Sequence, residues 1–355
     1  MPQAPFKTLT ACSSLIFIGL SAACNWFVHQ PRYWQPANNQ KLPACVSPWV
    51  EHLGNVSADI TDMIGLTGHD VTATLSAPLN TNRLVCAGWP TRLPNSTEPK
   101  DITMLTKKGF VVGYSPSLRH PVWVAYKTFP MRNKMILPRP SSFKSDGAAL
   151  NSPLAKDYAK SGYDRGHMAP NLAISSRYGK AAQEETFLTS NICPQRAGLN
   201  QGPWRDLEFR IAELWPDCYG EVWVIAGAIS RPGGKRLPSG VDIPTAFYQI
   251  VIAQEKSKIR AFAVYMPQNI GRRSYARSTL VSIDELETLS GFDFLSELPN
   301  DTETSIESAT PTRLWPAGAI GVFRLLRERL RIDDPFWSKI GKMGRRHLTD
   351  SRLSR

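Results

Sequence analysis

The sequence predicts an α+β domain built around a central sheet, on three observations. Five runs dominated by β-branched, aromatic and other apolar residues read as buried strands: residues 109–115, 121–127, 221–228, 246–252 and 259–266. Between the second and third of these, Trp204, Leu207, Ile211, Leu214 and Trp215 recur at the helical period and form one apolar stripe. Ser282, followed by Ile283-Asp284-Glu285-Leu286-Glu287, offers a serine cap and the start of a further helix. Strands interrupted by helices, with no internal repeat, give a sheet with helices packed on it.

The ends of the chain read differently. Lys7 precedes an uncharged run over residues 8–30 centred on Leu15-Ile16-Phe17-Ile18-Gly19-Leu20 and followed by Ser21-Ala22-Ala23-Cys24. Residues 1–30 therefore read as an export signal or a membrane anchor. Export in a bacterium is the first expectation, to the periplasm or the inner membrane. Secretion is an alternative, and a mitochondrial location is another if the source is eukaryotic, because no Asp or Glu precedes Glu51. Residues 31–105, rich in Pro, Asn, Thr and Ser, read as a linker with some local structure, the compact domain as residues 106–315, and residues 316–355 as a basic extension. In that extension Arg324, Arg327, Arg329 and Arg331 accompany Phe323, Leu326 and Leu330 at helical spacing, an amphipathic basic pattern suited to a membrane surface or nucleic acid, with packing on its own domain or a solvated appendage as the first expectation.

The 355 residues carry 42 Lys and Arg against 30 Asp and Glu, a net charge of +12 that favours a polyanionic partner such as nucleic acid or an anionic membrane. At 42% hydrophobic content the composition excludes a disordered or fibrous chain. Of six cysteines, Cys45 with Cys86 and Cys193 with Cys218 would make two disulfides in an oxidising compartment. No cysteine or histidine cluster has the spacing of a structural zinc site.

Chemistry concentrates in residues 163–171, Tyr-Asp-Arg-Gly-His-Met-Ala-Pro-Asn. His167 can take a proton near neutral pH, and Arg165 can hold phosphate or charge growing on it. If the segment is extended, Arg165 shares a face with His167 and its positive charge favours the neutral imidazole. Downstream, Ser190-Asn191-Ile192-Cys193-Pro194-Gln195 and the block from Leu199 to Glu208 supply amide and carboxylate oxygens suited to a hard cation. On a continuous helix Asn200 projects onto the middle of the apolar stripe and Glu208 onto its edge, so both polar groups need partners that a hydrated metal would provide. The competing structural account makes Asn200 a helix N-cap and Glu208 a half-exposed surface acid.

The order DRGHMAPN, TFLTSNICPQ and LNQGPWRDLE resembles the DNA/RNA non-specific endonucleases of the ββα-metal class, the relatives of endonuclease G, over about residues 109–315. The resemblance implies a ββα-metal nuclease fold, with a mainly antiparallel sheet flanked by helices. It implies Mg²⁺-dependent hydrolysis of DNA and RNA with little base preference, Mn²⁺ being a candidate substitute, and products with 5′-phosphate ends. It assigns His167 as general base, Arg165 to phosphate or transition-state charge, Asn200 as the single direct Mg²⁺ ligand, Glu208 to metal-bound water, and Asn191 to positioning the metal-site backbone or its waters. A further arginine is expected upstream, Arg139 first and Arg132 second. Cys193 departs from the small apolar residue expected there and reads as structural.

The expected partners are DNA and RNA through their phosphate backbones, with inner-membrane association and a homodimer as further candidates. Two rivals stand beside the nuclease. One is a basic envelope protein that binds nucleic acid without cutting it; the other is a phosphodiesterase acting on small phosphodiesters.

Overall fold

The computed structural model describes residues 60–66, 68–75, 84–131, 137–318, 321–322 and 324–325. Its centre is an eight-stranded antiparallel sheet assembled from β1 (Val71–Thr74), β3 (Thr103–Thr106), β4 (Phe110–Ser115), β5 (His120–Thr128), β8 (Val222–Ile229), β9 (Ala246–Glu255), β10 (Lys258–Pro267) and β11 (Leu280–Val281). The order across the sheet is β1-β10-β9-β8-β5-β4-β3, and β11 also pairs with β10. β12 (Phe292–Asp293) pairs with β2 (Thr91–Arg92), and β6 (Asp164–His167) pairs with β7 (Ile192–Gln195), in two small separate sheets.

All eight residues of β8 are buried, which explains why this strand reads as an unbroken apolar run. Alternate side chains serve two cores, as the period of a strand requires. On one face Val224, Phe247, Val251 and Phe262 meet Trp204, Leu207, Ile211 and Trp215. On the other, Ile225, Ile250, Ile252 and Ile259 meet Ile283, Leu286 and Ile306. The sheet is thus covered on both sides by helices.

The first helical layer holds α1 (Asn171–Thr186), α2 (Ala197–Asn200), α3 (Pro203–Phe209), a π-helical turn (Arg210–Leu214) and α4 (Trp215–Tyr219). All five stripe residues are buried there. The second layer holds α5 (Ile283–Ser290) and α6 (Asn300–Glu307). The Ser282 Oγ accepts the Glu285 N–H at 3.1 Å, the cap expected from sequence.

Three expectations need correction. Part of the expected linker is sheet: β1 pairs with β10, placing Val71 opposite Ala261, and β3 pairs with β4. Short strands framed by polar residues gave little periodicity, and non-local pairing made them strands. The Cys193–Cys218 bridge does not form, because the buried Cys193 is a free thiol on β7 that reaches the Pro121 carbonyl at 3.7 Å. Third, α2 and α3 are not one helix. The break lies at Gly202 (φ −112°, ψ −119°), so extrapolating the stripe back to Asn200 does not hold.

Beyond Trp315 the chain still packs on the domain: Val322 and Leu325 are buried, and Arg324 pairs with Glu213 at 2.8 Å and Asp217 at 2.9 Å. The remaining residues of the expected basic helix, the leader over residues 1–30, Cys45 and Arg132 lie outside the described residues. Among the described residues no helix is long and apolar enough to cross a membrane.

Candidate active site

β6 and β7 form an antiparallel pair in which Gly166 faces Cys193 and His167 faces Ile192. A Cβ on Gly166 would overlap the Gln195 side chain, so this strand position requires glycine. Arg165 and His167, two residues apart on an extended strand, do share a face: the Arg165 guanidinium lies 4.7 Å from the Phe143 ring centroid, and the imidazole 5.4 Å from it.

The imidazole sits in an aromatic corner. Phe187 packs edge-on to it at 5.0 Å, and Phe143 and Phe187 are themselves 5.0 Å apart. The segment carrying Phe143 is held to the site by its neighbour, since the Lys144 N–H donates to the Phe187 carbonyl at 3.0 Å and Thr189 donates to the Lys144 carbonyl at 2.9 Å. The same segment brings in Arg139, exposed, with its guanidinium 5.1 Å from the Phe187 centroid.

His167 is 9% exposed, and its Nε2 is a buried nitrogen without a hydrogen-bond partner. Burial, with the Arg139 charge second, pushes its pKa down to about 3. The neutral base expected from sequence is therefore what the site favours, but the charge responsible is that of Arg139, while Arg165 stacks outward on Phe143.

Asn191 works on the backbone just beyond the histidine. Its Oδ1 accepts the Ala169 N–H at 2.8 Å, and its Nδ2 donates to the carbonyls of Ala169 and Thr186, each at 3.0 Å. Those bonds commit its side chain to tying the turn after β6 to the end of α1.

Asn200 ends α2, whereas the N-cap of α3 is Gly202, without a side-chain capping bond, so Asn200 is not a helix N-cap. Its Nδ2 donates to Asp164 Oδ2 at 2.9 Å, and Gln201 Nε2 donates to the same oxygen at 2.9 Å. Because Asp164 occupies the amide nitrogen, the carbonyl oxygen is the end of Asn200 offered to a cation. Glu208, on α3, accepts the Trp204 indole N–H at 3.0 Å. Burial pushes its pKa up to about 8 against the opposing Trp204 bond and the Arg139 and Arg205 charges. Arg139 acts on both His167 and Glu208, which ties the two blocks electrostatically.

These groups fit a hydrated divalent cation. A half-buried carboxyl held above its ordinary range lacks sufficient positive charge, an amide oxygen is presented by a fixed amide, and the His167 Nε2 is unpartnered.

The family model for DNA/RNA non-specific endonucleases matches residues 91–301, more than half of the chain. The chain belongs to this family. Over 234 residues it is 30% identical to a nuclease of a Nostoc species, an alignment covering 61% of this chain and 82% of that protein. Over 206 residues it is 33% identical to the mitochondrial nuclease EXOG of Danio rerio, covering 53% of this chain and 59% of that one, so it spans less than two thirds of that relative. Its fold resembles a chain in the crystal structure of the EndoG/EndoGI complex, with TM-score 0.50, 24% identity, and coverage of 56% of this chain and 88% of that one. This endonuclease-family fold is α+β with a central antiparallel sheet, as expected from the motifs.

Sequence reasoning missed three contributors: Asp164, Phe143 and Phe187. Asp164 and Phe187 stand inside the blocks that carried the resemblance and Phe143 lies upstream of them; the signal for Asp164 was an acid immediately before the arginine of the same strand. The phenylalanines gave no signal beyond apolarity, because their contact with His167 depends on a loop crossing between distant parts of the chain.

Proposed function

We propose that this nuclease is a Mg²⁺-dependent endonuclease that hydrolyses DNA and RNA phosphodiesters with little sequence preference, with His167 as general base. The observation that carries the reading is the buried, unpartnered Nε2 of His167, held neutral beside Arg139. Nε2 takes a proton from water, the water oxygen bonds to phosphorus, and the P–O3′ bond breaks to leave a 5′-phosphate and, after protonation, a 3′-hydroxyl. Phe143 and Phe187 fix the ring plane and keep bulk water from the imidazole. Arg139 and Arg165, both exposed and stacked on those rings, bind the phosphate and offset the charge that develops on it. Asn200 would hold the ion, with Glu208 accepting hydrogen bonds from its waters. When bound, the ion supplies charge neutralisation on the phosphate and on the leaving oxygen.

Recognition through backbone phosphates suits the net charge of +12 and makes binding strongly salt-dependent. In this reading the leader-like residues 1–30 assign the enzyme to an exported or membrane-tethered setting, which cell fractionation with N-terminal sequencing tests. The activity is tested with the purified full chain on supercoiled plasmid and on unstructured RNA. Both are degraded in Mg²⁺ and spared in excess chelator; plasmid and RNA that stay intact in Mg²⁺ while still being bound would favour the non-cutting rival.

A further inference from the structure

On the sheet face opposite the candidate active site, two helices confront one another with acids. α5 presents Asp284 and Glu287 one turn apart, α6 presents Glu303 and Glu307 one turn apart, and β12 adds Asp293. Asp284, Glu287 and Glu307 each place a carboxylate oxygen within 4.8 Å of the other two.

In a chain with an excess of basic residues, such a group would ordinarily hold a lysine or arginine. Among the described residues none pairs with these three. Glu307 is only 6% exposed, and its Oε1 is buried with no hydrogen-bond partner. One Glu287 oxygen accepts the Phe294 N–H at 2.8 Å, which leaves the other for a further partner. Burial first, and then the surrounding acids, hold Glu307 up to about 9 and Glu287 up to about 7, so the cluster lacks a positive charge.

We propose that Asp284, Glu287 and Glu307 form a second divalent-cation site, of calcium type, that clamps α5 to α6. The donors are all oxygen, which favours hard cations over zinc or copper. Calcium–oxygen distances of about 2.3–2.6 Å give a shell roughly 4.6–5.2 Å across, wide enough for the observed spread, and calcium tolerates irregular, partly bidentate geometry. Magnesium demands a tighter octahedron and keeps its water. Asp284 is exposed, so water completes the shell on that side. The same helices bury Leu286 and Ile306 against the sheet, and Thr302 Oγ1 donates to the Thr74 carbonyl at 3.3 Å on edge strand β1. Bridging the helices therefore stabilises this layer without touching the candidate active site, and the inference does not depend on the nuclease mechanism.

Calcium itself is the probe, read as the thermal midpoint of the full-length chain in excess chelator and in 10 mM calcium. All arms carry Asn200→Ala, to remove any contribution from the proposed catalytic ion. The parent should gain roughly 3–8 °C in calcium, as expected for an affinity in the extracellular-module range. Glu287→Gln with Glu307→Gln should lose that gain, yet in chelator melt no lower than the parent, since the repelling acids are gone. Asp284→Asn, an exposed change that leaves folding intact, should lose about half or more of the gain. With Asn200 restored, the double variant should keep its Mg²⁺-dependent nuclease rate. An equal calcium gain with and without the glutamates overturns the site. So does a parent whose midpoint responds to pH but not to calcium, which would mean that Glu287 and Glu307 merely share a proton.

Discussion

Asp164 accepts the Asn200 side-chain amide at 2.9 Å, and through that one bond strand β6 determines which end of Asn200 is offered to a cation. Asp164→Ala would release the amide to rotate. The Mg²⁺ concentration for half-maximal activity should rise roughly 10- to 100-fold, in keeping with the loss of a group that orients a metal ligand. Asp164→Asn, which can still accept through its own carbonyl, should fall between the two. A magnesium titration of the cleavage rate checks this, and an unchanged requirement in Asp164→Ala would detach Asp164 from metal binding.

The pKa of His167 is held down to about 3 by burial and by Arg139, so the imidazole is neutral throughout the physiological range. Arg139→Ala removes the second cause and raises the pKa. Any acid limb of kcat/KM due to His167 should then move to higher pH, alongside a higher KM from the lost phosphate contact. For stability the sign is also fixed. The unfolded histidine binds a proton below about pH 6.5 and the folded one does not, so its contribution is present above about 6.5 and is lost as pH falls toward 3. His167→Ala should therefore flatten the pH dependence of the urea midpoint in that window.

Much of this arrangement was legible in the sequence. The five strand runs became β4, β5, β8, β9 and β10, because each is buried on both faces and therefore reads as continuous apolar sequence. The Trp204-to-Trp215 stripe was found because its residues all face one core, even though a π-helical turn interrupts the helix midway. What stayed hidden depends on contacts between distant segments. β1 is a strand because β10 pairs with it, and Arg139 influences His167 because Lys144 bonds to the backbone at Phe187 and Thr189. The Cys193–Cys218 pairing failed for the same reason: spacing along the chain carries no information about where two side chains point.

Lys107 and Asp146 form a buried ion pair at 2.6 Å, and Ser190 donates to the same carboxylate oxygen at 2.5 Å, immediately before Asn191. Burial opposes ionisation of Asp146, but the bonds from Lys107, Ser190 and the Ala148 backbone outweigh it and hold its pKa below the usual carboxylate range. The stability it confers is thus present above about pH 3.9 and is lost as pH falls through the depressed value. Lys107→Met leaves a buried carboxylate without its cation and should cost about 3–5 kcal/mol in urea denaturation at pH 7. A loss under about 1 kcal/mol would show that the pair contributes little.

Gly202 separates α2 from α3 where the chain passes close to backbone: a Cβ there would stand 2.6 Å from the Arg272 carbonyl oxygen. A backbone oxygen cannot turn aside as a side chain can. Gly202→Ala should destabilise the fold by about 1–3 kcal/mol. It should also reduce activity more than Gly220→Ala, a change at a position where an added Cβ meets nothing within 4 Å. Because Gly220 has φ 81°, that control carries backbone strain but no clash, so the comparison isolates the close approach beside Asn200.

Whether His167 is the base is decided by single-turnover cleavage of an end-labelled random-sequence duplex in saturating Mg²⁺. Wild type and His167→Ala are compared at enzyme concentrations that bind all the substrate, with binding measured separately in a non-cleaving buffer. A histidine acting as general base gives equal affinity within about threefold and a cleavage rate lower by roughly 10²–10⁴ in the variant. A His167→Ala enzyme that binds normally and keeps more than about a tenth of the wild-type rate would contradict it.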